Sequence, residues 1–201
     1  MISEKYNQYH FILGSKSPRR QHLLKELGLR FEIATIDLDE HYPSELKAEN
    51  IARYLCGIKA DAFNLELYPD NTVLITADTI VWLEGQCIGK PKDKTDAIRM
   101  LSLLSGKQHT VYSGICLMTK ERKHIFHSAT TVNFKKLQPE EIEYYIAHHR
   151  PYDKAGSYGI QDWIGYSGIT GINGCYYNVM GFPVQRFSDE LEAFLGGELK
   201  E

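Results

Sequence analysis

No apolar run in the chain approaches the roughly 20 residues needed to span a bilayer. Residues 1–9 are polar and mixed in charge, so they lack the apolar stretch of a secretory signal. Together these absences predict a cytoplasmic protein with no membrane partner. The four cysteines, Cys56, Cys87, Cys116 and Cys175, lie far apart with no C-x-x-C spacing, which excludes a zinc knuckle or a dithiol redox motif. They read as buried free thiols in a reducing compartment. Positive charge is not in excess either: 23 Lys and Arg face 26 Asp and Glu, for a net charge of −3. That balance denies the chain the broad cationic surface a nucleic acid would need, while leaving room for a small anion in a locally basic cleft. There is no internal repeat and no low-complexity linker, so residues 1–201 are expected to form one unit, either compact or of two small lobes. With 43% apolar residues, a chain of this length can bury a core without a disulfide or metal staple.

Periodicity then places the elements. Residues 10–14 are a short apolar run closed by glycine, a buried strand feeding the polar loop Ser15-Lys-Ser-Pro-Arg-Arg20. Ser17 before Pro18 is an N-cap followed by a first-turn proline, and Leu23, Leu24 and Leu27 supply the stripe of a helix ended by Gly28. A second strand is expected over 31–36, then the acidic turn Asp37-Leu-Asp-Glu40, then about five turns of helix from Ile51 to the break at Tyr68-Pro69-Asp70-Asn71, with Lys59 at the edge of its apolar face. Residues 72–77 are apolar and β-branched, as in a central strand; Asp78-Thr79 interrupts the run before it resumes over 80–83. Glu84-Gly85-Gln86 is a hairpin turn, Gly89-Lys90-Pro91 a second loop, and a helix starts at Thr95 or Asp96. Residues 109–118 and 124–134 read as an antiparallel pair. A helix follows between Pro139 and Pro151, then a long Gly/Tyr-rich stretch over 153–181, and a final amphipathic helix over 184–195.

The chemistry concentrates in the loops. A helix N-terminus already carries partial positive charge, so Arg19 and Arg20 there are costly unless an anion sits nearby. With the hydroxyls of Ser15 and Ser17 in the same loop, they form a candidate phosphate cradle, although the Walker A spacing is absent. Asp78 is a carboxylate at a buried strand, expensive unless paired or metal-bound, and suited to hold Mg²⁺ or to accept a proton from an attacking water. Glu40 is the natural second carboxylate. Lys59 and Lys90 add the positive charge that a triphosphate, with about four negative charges, requires. His148-His149 ends a helix, where cationic imidazole suits the dipole, and His109 opens a strand, so both are read as structural.

Gly14-Ser-Lys-Ser-Pro-Arg-Arg20, Ala77-Asp-Thr79, Gly89-Lys-Pro91, Ser105-Gly106 with His109, Asp153-Lys-Ala-Gly-Ser-Tyr-Gly-Ile-Gln161 and Asn178-Val-Met-Gly181 occur in an order that resembles the Maf family of nucleoside triphosphate pyrophosphatases, over nearly the whole chain. The family has also been described as septum-formation inhibitors. The resemblance implies an α/β fold with an elongated mixed sheet, helices around it and two lobes flanking a cleft, similar to the inosine triphosphate pyrophosphatases. It implies Asp78 as proton acceptor, and Ser15, Arg19, Arg20, Glu40, Lys59 and Lys90 as polar cleft residues. Asp78 and Glu40 would be the ligands of an activating Mg²⁺ or Mn²⁺, and the assembly a homodimer.

Pro18 directly before the two arginines, Thr79 after the aspartate and Gln161 in the glycine-rich segment are similar to the subgroup acting on dTTP and UTP, which makes Arg19, Thr79 and Gln161 the specificity candidates. A carboxamide both donates and accepts, as a pyrimidine edge requires. Asp162 stands where the family usually has glycine, Ser113 where threonine is common, Lys16 adds a charge to the phosphate loop, and Trp163 lies close to the expected base segment. Two other readings stay open: a 7-methyl-GTP-type pyrophosphatase, and a non-catalytic nucleotide-binding regulator of cell division.

Overall fold

The structure, a computed structural model, describes residues 2–196. One helical turn, α1 (Ile2–Lys5), precedes β1 (His10–Leu13). Helix α2 (Pro18–Glu26) starts where Ser17 and Pro18 predict, with Ser17 as N-cap. Strand β2 (Glu32–Ile33) is followed by a polar loop and α3 (Glu49–Asp61). A single 3-10 turn at Leu65–Leu67 leads into β3 (Thr72–Leu83), which returns as β4 (Gln86–Ile88). Then come α4 (Lys94–Leu104), capped by Asp93, and the long strands β5 (Gln108–Met118) and β6 (Lys123–Phe134). Helix α5 (Pro139–His149) carries a capping box from Gln138 and Glu141. The glycine-rich stretch holds a 3-10 turn at Ala155–Ser157, α6 (Trp163–Gly168), β7 (Ile169–Asn173) and α7 (Tyr176–Met180); α8 (Val184–Gly196) follows.

Among the described residues the sheet has seven strands in the order β2-β1-β3-β5-β6-β7, with β4 on β3. β1 is parallel to β2 and β3, and the remaining pairs are antiparallel. The expected mixed α/β sheet is therefore present. Four local expectations change. The strand predicted over 31–36 shrinks to two residues, because β2 is an edge strand paired on one side and residues 35 and 36 turn into the cleft. The helix predicted to run to the Tyr68 break stops at Asp61, and Leu65 starts the separate 3-10 turn. Asp78 does not interrupt its strand: β3 runs unbroken for 12 residues, because its backbone pairs with β5 whatever the side chain. The stretch over 153–181 supplies the edge strand β7 and two short helices in place of a bare loop.

Alternation along β3 decides which layer each residue serves. Leu74 and Ile80 face α3, packing with Ile12, Cys56 and Ala60 at one end and Ile51, Ala52 and Leu55 at the other. Val73, Ile75 and Ala77 face the opposite side, where α2 and α8 bring Leu24, Phe182, Phe187 and Phe194. Further along that second side, Val81 and Val111 meet the core of α4 and α5, including Leu101 and Tyr145. Full burial of each such large side chain contributes roughly 1.5–3 kcal/mol. The second side is thus two apolar clusters, and the register pair Thr79↔Ser113 lies between them. No helix among the described residues is long and apolar enough to cross a membrane.

His109 has the structural place its strand position predicts, stacked on Phe134 with Nε2 2.7 Å from the Tyr158 hydroxyl. Burial pushes its pKa down to about 4. An unfolded chain binds the proton near the ordinary value of about 6.5, so this contribution to stability is complete above that pH and is lost as pH falls from 6.5 towards 4. At full extent it amounts to about 3 kcal/mol. Urea midpoints at pH 7 and pH 4.5 are expected to differ accordingly, and His109→Phe to flatten the slope whatever it does to the stability at pH 7.

Candidate active site

The division of the core leaves a cavity of about 420 Å³ at the end of β1 and the middle of β3. Ser15, Arg19 and Arg20 enter it from the first loop and α2; Glu40, Lys59 and Lys90 from the acidic loop, α3 and the loop after β4; Asp78, Thr79 and Gln161 from β3 and the glycine-rich segment. Every side chain nominated from the sequence therefore faces one hollow.

The carboxylate pair is built around α3. Gly114 lies directly opposite Asp78 in the β3–β5 register, and the missing side chain lets the α3 backbone settle there: a Cβ on Gly114 would come within 2.4 Å of the Ala52 carbonyl oxygen. The Thr76 hydroxyl fixes the next turn by donating to the Cys56 carbonyl at 2.6 Å. Ala52, Cys56 and Lys59 share one helix face at i, i+4, i+7 spacing, so Lys59 is delivered over the sheet. Its ammonium bridges Asp78 Oδ1 and, at 2.8 Å, Glu40 Oε1. Burial works against ionisation of Glu40, yet Lys59, with Lys90 and Arg20 beyond it, holds that carboxyl below its ordinary value. Lys90 is exposed and has no ion-pair partner among the described residues; its loop is tied down by Gly156, whose N–H donates to the Gly89 carbonyl at 2.9 Å.

The two arginines differ from the cradle expected of them. Arg19 donates to Asp153 Oδ2 at 2.6 Å, so the anion beside the first turn of α2 is a side chain of the protein. Arg20 donates to the carbonyls of Gly181 (3.0 Å) and Ala77 (2.8 Å), to Thr79 Oγ1 (3.1 Å) and to Ser15 Oγ (3.4 Å). Removal from water draws its pKa down, with the charge on Asp78 opposing. Most of its donor fork is committed to fixing β3 against the loop after α7, while Arg19, half-buried at one edge, is the arginine placed to meet an incoming anion. Thr79 Oγ1 and Ser113 Oγ, 2.9 Å apart, continue this polar row to the Asn178 carbonyl.

Asp153 and Lys154 also line the cavity, and were not singled out by sequence reasoning as site residues although they open the glycine-rich motif. Gln161 sits in a turn closed by Asp162 N–H donating to the Gly159 carbonyl at 3.0 Å. Its Oε1 is buried without a hydrogen-bond partner. Altogether six cationic side chains face four carboxylates among the described lining residues, a local positive excess on a chain of net charge −3.

A divalent ion would find two converging carboxylate oxygens, on Asp78 and Glu40, but among the described residues no cluster of three or more His, Cys, Asp or Glu. That donor set suits Mg²⁺ or Mn²⁺ completed by phosphate oxygens and water, and does not suit an all-protein cage.

The family model for Maf-like protein matches residues 10–194. The chain belongs to the Maf-like protein family. It is 50% identical over 190 residues to the dTTP/UTP pyrophosphatase of Phocaeicola vulgatus, covering 94% of this chain and 98% of that one. It is 45% identical over 191 residues to the dTTP/UTP pyrophosphatase of Flavobacterium johnsoniae, covering 95% and 98%. Among solved structures, that of the Staphylococcus aureus Ham1 protein matches with a TM-score of 0.52 at 14% identity, over 94% of this Maf-family chain and 100% of the other, a likeness of fold.

Proposed function

We propose that this Maf-family chain hydrolyses dTTP and UTP between the α- and β-phosphates, releasing pyrophosphate and the nucleoside monophosphate, with Mg²⁺ or Mn²⁺ as activating ion. The observation that carries the reading is the meeting of Asp78, Glu40 and Lys59 inside a cavity with a local excess of cations. A pure nucleotide sensor gains nothing from a buried carboxylate there. Full-length relatives at 45–50% identity named for this activity point the same way. The reading places the protein in the cytoplasm, as a homodimer, with its four cysteines as the free thiols they are here.

In this mechanism water adds to the α-phosphorus as the bridging oxygen leaves with pyrophosphate. Asp78 takes the proton of the water. Lys90, Arg19 and Lys59 balance charge on the triphosphate and the departing pyrophosphate. Asp78 and Glu40 would hold the divalent ion, which supplies charge neutralisation at the phosphates. For Asp78 to act, the ammonium of Lys59 must pass from the carboxylates to a phosphate oxygen, so nucleotide binding itself uncovers the base.

Incubation with dTTP, UTP and 7-methyl-GTP in the presence of Mg²⁺ tests the proposal: pyrophosphate and dTMP or UMP are expected, with kcat/KM highest for the pyrimidines. Orthophosphate as product, or binding without turnover, overturns it. The Lys59 bridge adds a second expectation. Without nucleotide, Lys59→Met frees two carboxylates and is expected to tighten Mn²⁺ binding, read by electron paramagnetic resonance, by roughly tenfold, equivalent to about 1.4 kcal/mol. The same variant loses pyrophosphatase activity.

A further inference from the structure

From Arg19 a line of alternating charges crosses the cavity wall to the turn that holds Gln161. Asp153 accepts Arg19 at 2.6 Å on Oδ2 and the Lys154 ammonium at 2.8 Å on Oδ1. Lys154, largely buried, also lies 3.8 Å from Asp162 Oδ2. That same oxygen accepts the Tyr145 hydroxyl at 2.8 Å, and the Tyr145 oxygen accepts the Gly159 N–H at 3.0 Å. Both ends of the 159–162 turn are thus pinned to one buried tyrosine, and the turn packs so tightly that a Cβ on Gly159 would lie 2.6 Å from Asp162 Oδ2 and 2.8 Å from Gln161 Nε2. Partial burial opposes ionisation of Asp153, but Lys154 and Arg19 hold its pKa below the ordinary value. Lys154 and Asp162 are largely enclosed while Asp153 is exposed, and charges paired in this way compensate one another.

We infer that Asp153, Lys154, Asp162 and Tyr145 are positioning residues that fix the Gln161 carboxamide for reading an uncharged pyrimidine imide and hold Arg19 at the opposite, phosphate-bearing end. The inference rests on the pyrimidine triphosphate reading of the cavity. The relay cancels its own charge, leaving the Gln161 end of the cavity nearly neutral, and Gln161 Oε1, buried and unpartnered without nucleotide, accepts the ring N–H of uracil or thymine once base binding turns the carboxamide towards it. Adenine presents a ring nitrogen acceptor where uracil and thymine present an N–H, and leaves that buried acceptor unsatisfied, which is how a site of this kind discriminates.

The test compares kcat/KM for UTP and ATP in Asp153→Asn, Asp162→Asn and Tyr145→Phe. Each variant is expected to lower the UTP:ATP ratio at least tenfold, mainly through KM for UTP, and Asp153→Glu to recover part of it. Lys90→Met, altered at the phosphate end, is expected to slow both nucleotides alike. Tyr145→Phe removes one hydroxyl without changing the packing shape, so it serves if the charge variants fail to fold. An unchanged ratio in folded Tyr145→Phe and Asp153→Asn, with wild type still hydrolysing UTP, overturns the relay alone. A wild type that releases no pyrophosphate from UTP overturns the underlying reading instead.

Discussion

Asp78→Asn is expected to lower kcat for UTP by roughly 10³-fold, within the about 10²–10⁴ that a positioned general base contributes, or about 4 kcal/mol of barrier. The substitution keeps the size of the side chain and its place in β3, where Asp78 is only 8% exposed. It removes the ability to accept a proton and one of the two charges that would hold a divalent ion. Lys59 keeps Glu40 as its partner, so the variant retains a compensated charge and is expected to melt within a few degrees of wild type. Affinity for UTP is expected to stay within several-fold, since the phosphate-facing lysines are untouched. Steady-state pyrophosphate release, with isothermal titration of the nucleotide, separates the two effects. Retention of more than a tenth of the wild-type rate would remove Asp78 from the role of base.

Gly114→Ala is expected to destabilise the fold and the active site together, through one added methyl. Its Cβ would lie 2.4 Å from the Ala52 carbonyl oxygen, 2.5 Å from the carbonyl carbon and 2.8 Å from Arg53 N. These are backbone atoms of a helix, which cannot swing aside as a side-chain tip can. α3 has to lift from β5, at a cost of about 2–3 kcal/mol. For a domain of this size that corresponds to a fall in Tm of roughly 4–12 °C. Because Lys59 rides on the same face two turns along, kcat falls as well, in contrast to an ordinary destabilising change far from the cavity. Gly196→Ala, where an added methyl meets nothing within 4 Å, is the control and leaves Tm nearly unchanged. Differential scanning calorimetry of the two variants decides the matter.

The same glycine shows how far local pattern reaches. Alternation over 109–118 predicts a strand, and an isolated glycine inside a strand is a known sign of close backbone approach; what approaches becomes visible only once α3 is laid across the sheet. The N-terminal loop was legible because Ser17 and Pro18 act within one helical turn. The fate of its arginines was not, since Arg19 finds Asp153 134 positions away and Arg20 finds a carbonyl 161 positions away. Asp78 stood out as a carboxylate in an apolar run, and that cost argument led to the cavity, but the same argument wrongly broke its strand. Short elements in the glycine-rich stretch escaped because α6, β7 and α7 are only five or six residues long and lean on β6 and α5 for their hydrogen bonds, not on any periodicity of their own.

A molecule that is negative overall yet positive in one hollow sorts its visitors by size as well as by sign. At physiological ionic strength fields fade over about 8 Å, so a long polyanion lying across the surface stays mostly beyond reach of the charges inside the hollow. A compact triphosphate can pass inside that screening distance and meet Lys90, Arg19 and Lys59 at close range. On the proposed reading, shape and ionic atmosphere together favour a compact triphosphate over a long polyanion at a site whose chemistry suits phosphate.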